Sequence, residues 1–281
     1  MIPQTFEYTA PQTLQEALGL LNGGERRILA GGMSLIPLMK LRLAQPEEVI
    51  DLGRIPGLNR VTEAEGVVHI GAMATHHDVE VSPIVRGQCP LLAETAGRIG
   101  DLQVRNMGTI GGSVAHADPA ADYPAALLAL EARFLLVSAA GERTVAAGEF
   151  FRDAFTTALE PGELVREVQI AVEPPGEGYR YEKAPHPASG FAIVGVAARV
   201  RKEGKRIALA RIGVTGMAAR PFRAEAAERL LESGGSIQDA AALVGNGEEA
   251  NSDLSASADY RHHLTRVHAA RALKTALSRA L

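Results

Sequence analysis

The stretch NMGTIGGSVAHADPAADYPAALLAL, residues 106–130, decides how the rest of the chain is read. Glycines at 108, 111 and 112 open backbone conformations closed to other residues and, lacking side chains, let a bulky ligand approach the main chain. Successive peptide N–H groups in such a loop can converge on an anion, and a helix beginning just downstream adds the positive end of its dipole. The helix signal follows in Asp118-Pro119 and Asp122-Tyr123-Pro124, two cap-plus-proline starts ahead of the apolar run 125–130. On these residues alone a phosphate loop and a plain tight turn both stay open.

Upstream, PQTLQEALGLL at 11–21 places Leu14, Leu18 and Leu21 on one helical face, with Gly23-Gly24 as a stop. RRILA at 26–30 reads as a short strand running into a second glycine loop, Gly31-Gly32-Met33-Ser34, and then a helical stretch over 35–43. A strand over 48–52 closes a β-α-β-α-β unit of about fifty residues. A tight crossover turn is the alternative for this loop too, but two such loops in one chain weaken it. Residues 58–75 hold two β-rich runs about Glu65-Gly66, a hairpin signal, and helices are expected over 75–85 and 91–99. Beyond the helix of the opening stretch, strands over 133–138 and 142–145 pair about Ala140-Gly141, and 164–172 is a further strand. Residues 1–174 therefore read as α+β in two lobes, about 1–55 and 56–174, each carrying one glycine loop, with the ligand in the cleft between them.

Glu173-Pro174-Pro175-Gly176 marks the domain boundary, and 175–281 forms a second domain. Strands over 179–183, 191–201 and 206–214 predict a three-stranded antiparallel sheet there, followed by helices over 223–231, 237–244 and 259–281. The last helix sets Tyr260, Leu264, Val267, Leu273 and Leu277 at broadly helical spacing, with Arg261, Arg266, Lys274 and Arg279 largely elsewhere, which reads as a solvated basic face in preference to a partner groove.

With 281 residues, 46% of them hydrophobic, the chain can bury a sizeable core. A net charge of -4 gives no footprint for nucleic acid or an anionic membrane. The single cysteine, Cys89, builds neither a disulfide framework nor a cysteine-ligated iron–sulfur cluster, and is expected to be a buried apolar residue. No basic start precedes an apolar leader, and no run of about 18 apolar residues occurs, so a cytoplasmic protein without a membrane span is expected. The eight histidines include His76-His77 and His262-His263 without HExxH or Cys/His spacing, which favours satisfied or surface histidines over metal ligands. Ser34 and Ser113 lie outside any GxSxG, and the glycine loops fit neither GxGxxG nor Walker A. A phosphorylated cofactor held by two loops is what the residues suggest, its identity open.

AGGMSLIPLMKLRL at 30–43, RNMGTIGGSVAHADPAADYPAALLAL at 105–130 and ADYRHHLTRVHAARAL at 258–273 together resemble the FAD-binding medium subunit of the molybdenum hydroxylases. That family includes aerobic carbon monoxide dehydrogenase and the flavin part of xanthine dehydrogenase. The likeness covers nearly the whole chain in order. It implies a vanillyl-alcohol-oxidase-type FAD-binding domain of two lobes, then a small C-terminal domain with a three-stranded antiparallel sheet and helices. It implies FAD, its pyrophosphate held by backbone N–H groups of Leu29, Ala30, Gly31, Gly32, Met33, Ser34, Leu35 and Ile36 in one loop. Thr109, Ile110, Gly111, Gly112 and Ser113 do the same in the other. Asp122 matches an FAD-binding aspartate and serves equally as a helix N-cap. Lys183, in YEK, matches a lysine near the flavin ring, where a cation would stabilise the negative charge of reduced flavin; a solvent-facing strand lysine is the alternative. Val165 and Ile99 match apolar positions along the cofactor, or are ordinary core, and Phe191 falls where some relatives place a residue facing the isoalloxazine.

Three departures stand out. Met33 replaces a polar residue of many relatives, Ser113 replaces the usual asparagine after the glycine pair, and APHPASG at 184–190 replaces an arginine and an acidic residue. The function implied is electron transfer, without a general acid or base on this chain. Electrons would come from a molybdenum-cofactor large subunit through a 2Fe-2S small subunit and pass to NAD or a quinone. A stand-alone FAD-dependent oxidoreductase and a non-catalytic assembly subunit are the rivals.

Overall fold

A computed structural model describes residues 1–21, 25–172 and 174–281, so the Gly23-Gly24 stop and Glu173 lie outside the described residues. The chain opens on β1 (Glu7–Thr9), ahead of the expected first helix, α1 (Leu14–Leu20). Thr13 and Glu16 start α1 with a reciprocal capping box, and the helix buries Ala17 and Leu18. β2 (Arg26–Leu29), α2 (Leu35–Lys40) and β3 (Glu48–Asp51) complete a parallel sheet ordered β1-β3-β2. The helix expected to run to 43 stops at Lys40, and Arg42 turns left-handed at φ 60°.

β4 (Val61–Ala64) and β5 (Val67–Gly71) form the expected hairpin, with Glu65 and Gly66 both at positive φ. The helix expected over 75–85 is two: α3 (His76–Val81) and α4 (Pro83–Gln88). Pro83 has no N–H to continue α3, and Ser82 caps the new helix instead. α5 (Pro90–Ala96) and α6 (Leu102–Met107) lead to α7 (Ile110–His116) and α8 (Tyr123–Ala129). β6 (Arg133–Ser138), β7 (Gly141–Ala146), α9 (Ala147–Phe150), β8 (Phe151–Asp153), β9 (Thr156–Thr157) and β10 (Leu164–Ala171) follow. The larger sheet, ordered β4-β5-β10-β6-β7, is antiparallel and packs Val68, Ile70, Phe134 and Val168 against the helices. Cys89 is buried.

The C-terminal sheet is four-stranded, a correction to the expected three. β11 (Gly178–Pro185), β12 (Ala192–Glu203) and β13 (Arg206–Thr215) are joined by β14 (Phe222–Arg223), which pairs with Gly213 and Val214. Two residues after a proline are too few for any periodicity to announce a strand. α10 (Glu225–Glu232), α11 (Ile237–Leu243) and α12 (Ala258–Arg279) close the chain. β12 is buried on both faces. Val194, Val196, Ala198 and Val200 join the C-terminal core, whereas Ala197 joins the core built on α8 and the larger sheet. This explains its nearly unbroken apolar run. α8 sits so close to β13 that a Cβ on Gly213 would stand 1.9 Å from the Ala125 carbonyl oxygen.

α12 uses the expected face in part: Leu273 is buried in the C-terminal core, and Leu264 and Leu277 pack against it. Tyr260 is exposed, and the buried residues are Arg261, Thr265, His268, Ala269, Ala272, Leu273 and Ala276. Arg261, expected on the solvated basic face, is buried as a clamp: its guanidinium donates to the carbonyls of Ile193 (2.6 Å) and Gly216 (2.7 Å) and pairs with Asp253.

Candidate cofactor-binding site

A cavity of about 580 Å³ opens where the first glycine loop, the start of α7 and the turn before β12 converge. That volume lies within the range of small-molecule sites. Gly31 brings the two loops together, because a Cβ there would stand 2.0 Å from the Met107 carbonyl oxygen and 2.6 Å from Gly108 Cα. Gly32, at φ 73°, turns the loop into α2 in a conformation L side chains avoid. Of the residues singled out from the sequence, Ala30, Gly31, Gly32, Met33, Ser34, Leu35, Thr109, Gly111, Gly112, Ser113, Asp122 and Val165 line the cavity, with Ile99 and Phe191. Leu29, Ile36, Ile110 and Lys183 are not on its wall. Ile110 is instead fully buried in the core beneath α7.

The two loops differ in what their backbones can offer. The expectation that both present free N–H groups fails for the second, where α7 begins at Ile110 and the glycine pair lies inside its first turn. There the N–H groups of Ile110 and Gly111 donate to the carbonyls of Ala74 and Ala72, that of Gly112 to Thr109 Oγ1, and that of Ser113 to the Thr109 carbonyl. In the first loop, the N–H groups of Gly31, Gly32, Met33, Ser34 and Leu35 have no acceptor among the described residues. Five consecutive amides left unpaired on a cavity wall form a ready cradle for an anion. The second loop brings Thr109, Gly111, Gly112 and Ser113 to the cavity wall.

Asp118-Pro119, expected to start a helix, forms a turn in which Asp118 Oδ1 accepts from the Ala120 N–H. Asp122 does stand before α8, but its side chain makes no cap. Its carboxylate is buried against the Lys183 ammonium at 2.8 Å and accepts the Tyr181 hydroxyl at 2.6 Å. Burial pushes the Asp122 carboxyl above its ordinary value, while Lys183, Tyr181 and Arg98 pull it down. Lys183 also donates to the Arg98 carbonyl at 2.9 Å. It is neither a solvent-facing lysine nor a cation on the cavity wall; it is the buried ion-pair partner of Asp122. The backbone between these aspartates is held by the C-terminal domain: Thr215 Oγ1 donates to the Pro119 and Ala121 carbonyls, and Ala192 N–H to the Ala120 carbonyl.

His76 also lines the cavity, although no sequence pattern singled it out from its neighbour His77. At the start of α3 it is buried edge-on against Tyr123, ring centroids 5.2 Å apart. Burial, reinforced by Arg105, lowers its pKa from 6.5 to about 4. The folded protein therefore stays unprotonated at His76 where the unfolded chain takes up a proton, and stability is lost as pH falls from 6.5 through about 4. That interval corresponds to about 3 kcal/mol. Denaturant unfolding at pH 7 and pH 4.5 is expected to show a steeper acid loss in the parent than in His76→Gln; equal slopes would remove His76 as the cause.

The comparisons with known proteins agree with this geometry. Residues 4–172 match the family described as FAD binding domain in molybdopterin dehydrogenase, and residues 179–276 match the CO dehydrogenase flavoprotein C-terminal domain. The chain belongs to this family. As a member it is an FAD-binding flavoprotein and a subunit of an oxidoreductase. It is 42% identical to the carbon monoxide dehydrogenase medium chain of Hydrogenophaga pseudoflava over 99% of both chains. It is 38% identical to the glyceraldehyde dehydrogenase medium chain of Sulfolobus acidocaldarius over 98% of this chain and 99% of that one. Among solved structures, carbon monoxide dehydrogenase from H. pseudoflava superposes with a TM-score of 0.97 over the full length of both chains, at 42% identity. Quinoline 2-oxidoreductase from Pseudomonas putida 86 does so with a TM-score of 0.92 at 33% identity over 99% of each chain. No helix among the described residues is long and apolar enough to cross a membrane.

Proposed function

We propose that this medium subunit carries FAD in the cavity between the glycine loops, in a complex with a molybdenum-cofactor large subunit and a 2Fe-2S small subunit. Electrons would leave the complex through it to an acceptor such as NAD or a quinone. The observation that carries the reading is the row of five amides on the first loop, unpaired among the described residues, which suits the diphosphate of a dinucleotide. FAD, when bound, supplies the redox chemistry. This chain's residues bind and orient it. Gly31, Gly32, Met33, Ser34 and Leu35 would hold the pyrophosphate; Thr109, Gly111, Gly112 and Ser113 would close over it; Asp122 would take a hydroxyl of the cofactor; Val165, Ile99 and Phe191 would flank its rings. Leu29, Ala30, Ile36 and Ile110 shape the loops, and Lys183 fixes Asp122. The two sheets that face the cavity are read as the two lobes of a vanillyl-alcohol-oxidase-type domain, ending near residue 174.

Purification from the native host tests this reading. Stoichiometric flavin together with molybdenum- and iron-sulfur-bearing chains is the expected result. A protein without flavin that also fails to bind added FAD would overturn the cofactor assignment. A flavoprotein isolated without those chains would favour the stand-alone oxidoreductase.

A further inference from the structure

Resting on FAD occupancy of the cavity, we infer that His76 is a positioning residue for the cofactor, hydrogen-bonding the polar ribityl-flavin half beside Asp122. Three observations place it there. The residue is 5% exposed, yet it lies on the cavity wall, and its Nδ1 is buried without a hydrogen-bond partner among the described residues. A buried ring nitrogen left unpaired is costly unless something fills the role, and the cavity is what adjoins the ring. The glycine at 108 makes room for it: a Cβ there would stand 2.6 Å from His76 Nε2, so the first glycine of the motif leaves space for the imidazole at the wall. Finally, His76 packs on Tyr123, the residue next to Asp122, which brings it near the aspartate's stretch of wall. Because the ring stays neutral, it can both donate and accept without adding charge to the site.

Titration of flavin-stripped protein with FAD and, separately, with ADP as a probe of the adenine-diphosphate half tests the assignment. His76→Leu is expected to weaken FAD about tenfold while moving ADP affinity less than about twofold, and His76→Gln, which keeps a donor and an acceptor, to recover most of the loss. Retained ADP binding certifies the fold of each variant. FAD affinity unchanged in His76→Leu, or equal losses for FAD and ADP in both variants, would overturn the inference. Parent protein that binds ADP but not FAD would instead sink the occupancy on which it rests.

Discussion

Replacing Lys183 by methionine is expected to cost about 3–5 kcal/mol of folding free energy at neutral pH, to lower the thermal midpoint on the order of 10 °C, and to deplete bound flavin. The change strands the Asp122 carboxylate, 4% exposed, with the Tyr181 hydroxyl as its remaining side-chain partner. Burial already raises the Asp122 carboxyl, and losing Lys183 raises it further. The folded variant then keeps a proton that the unfolded chain releases, so its deficit grows as pH rises above the ordinary carboxyl value and shrinks in acid. Asp122→Asn in the Lys183→Met background removes the stranded charge and is expected to recover part of the loss and flatten the pH dependence. Denaturant unfolding across pH, with flavin counted per chain, measures all of this. A Lys183→Met protein as stable as its parent at neutral pH would refute the ion pair.

The second large effect is at Gly31. Alanine there places Cβ 2.0 Å from the Met107 carbonyl oxygen, and the obstacle is backbone on both sides. No rotamer change relieves it, so the loops must part. The cost is expected at or above the top of the usual range of about 1–3 kcal/mol for overpacking, with loss of flavin because the amide row no longer faces α7. Gly111→Ala meets Ala72 at 2.4 Å and should behave similarly. Gly112→Ala crowds Thr109 Oγ1 at 2.9 Å, a side chain that can swing away for about 1 kcal/mol of lost cap, touches Ala30 Cβ at an ordinary 3.5 Å, and should keep most of its flavin. Flavin content and unfolding midpoints of the three variants give the ranking. Gly112→Ala emptier than Gly31→Ala would reverse the proposed division between the loops.

The contrast between those glycines shows what the chain discloses on its own. Both loops, the hairpin about Glu65-Gly66 and the strands of the C-terminal domain are legible because glycine placement and apolar alternation are local signals. The pairing of the amides is not local. Whether Gly111 N–H is free depends on Ala72, which no spacing within the motif reveals. Lys183 and Asp122 are likewise sixty-one residues apart, and only the fold shows that they neutralise each other. Arg261 misled for the opposite reason: it lies among exposed basic residues on a helix, and its buried role depends on carbonyls at Ile193 and Gly216. β14 was hidden by its length, since two residues cannot display a period.

The hydrogen bonds from Thr215 and Ala192 to the carbonyls of 119–121, with Lys183 on Asp122, mean that the pocket is shared property. Two families of sequence meet along this chain, yet the seam between them runs through the cavity and not beside it. A chimaera that grafts a relative's C-terminal domain onto this N-terminal one would thus import the relative's grip on the aspartate. Cofactor affinity in such hybrids would follow the match between the two halves more closely than the ancestry of either glycine loop.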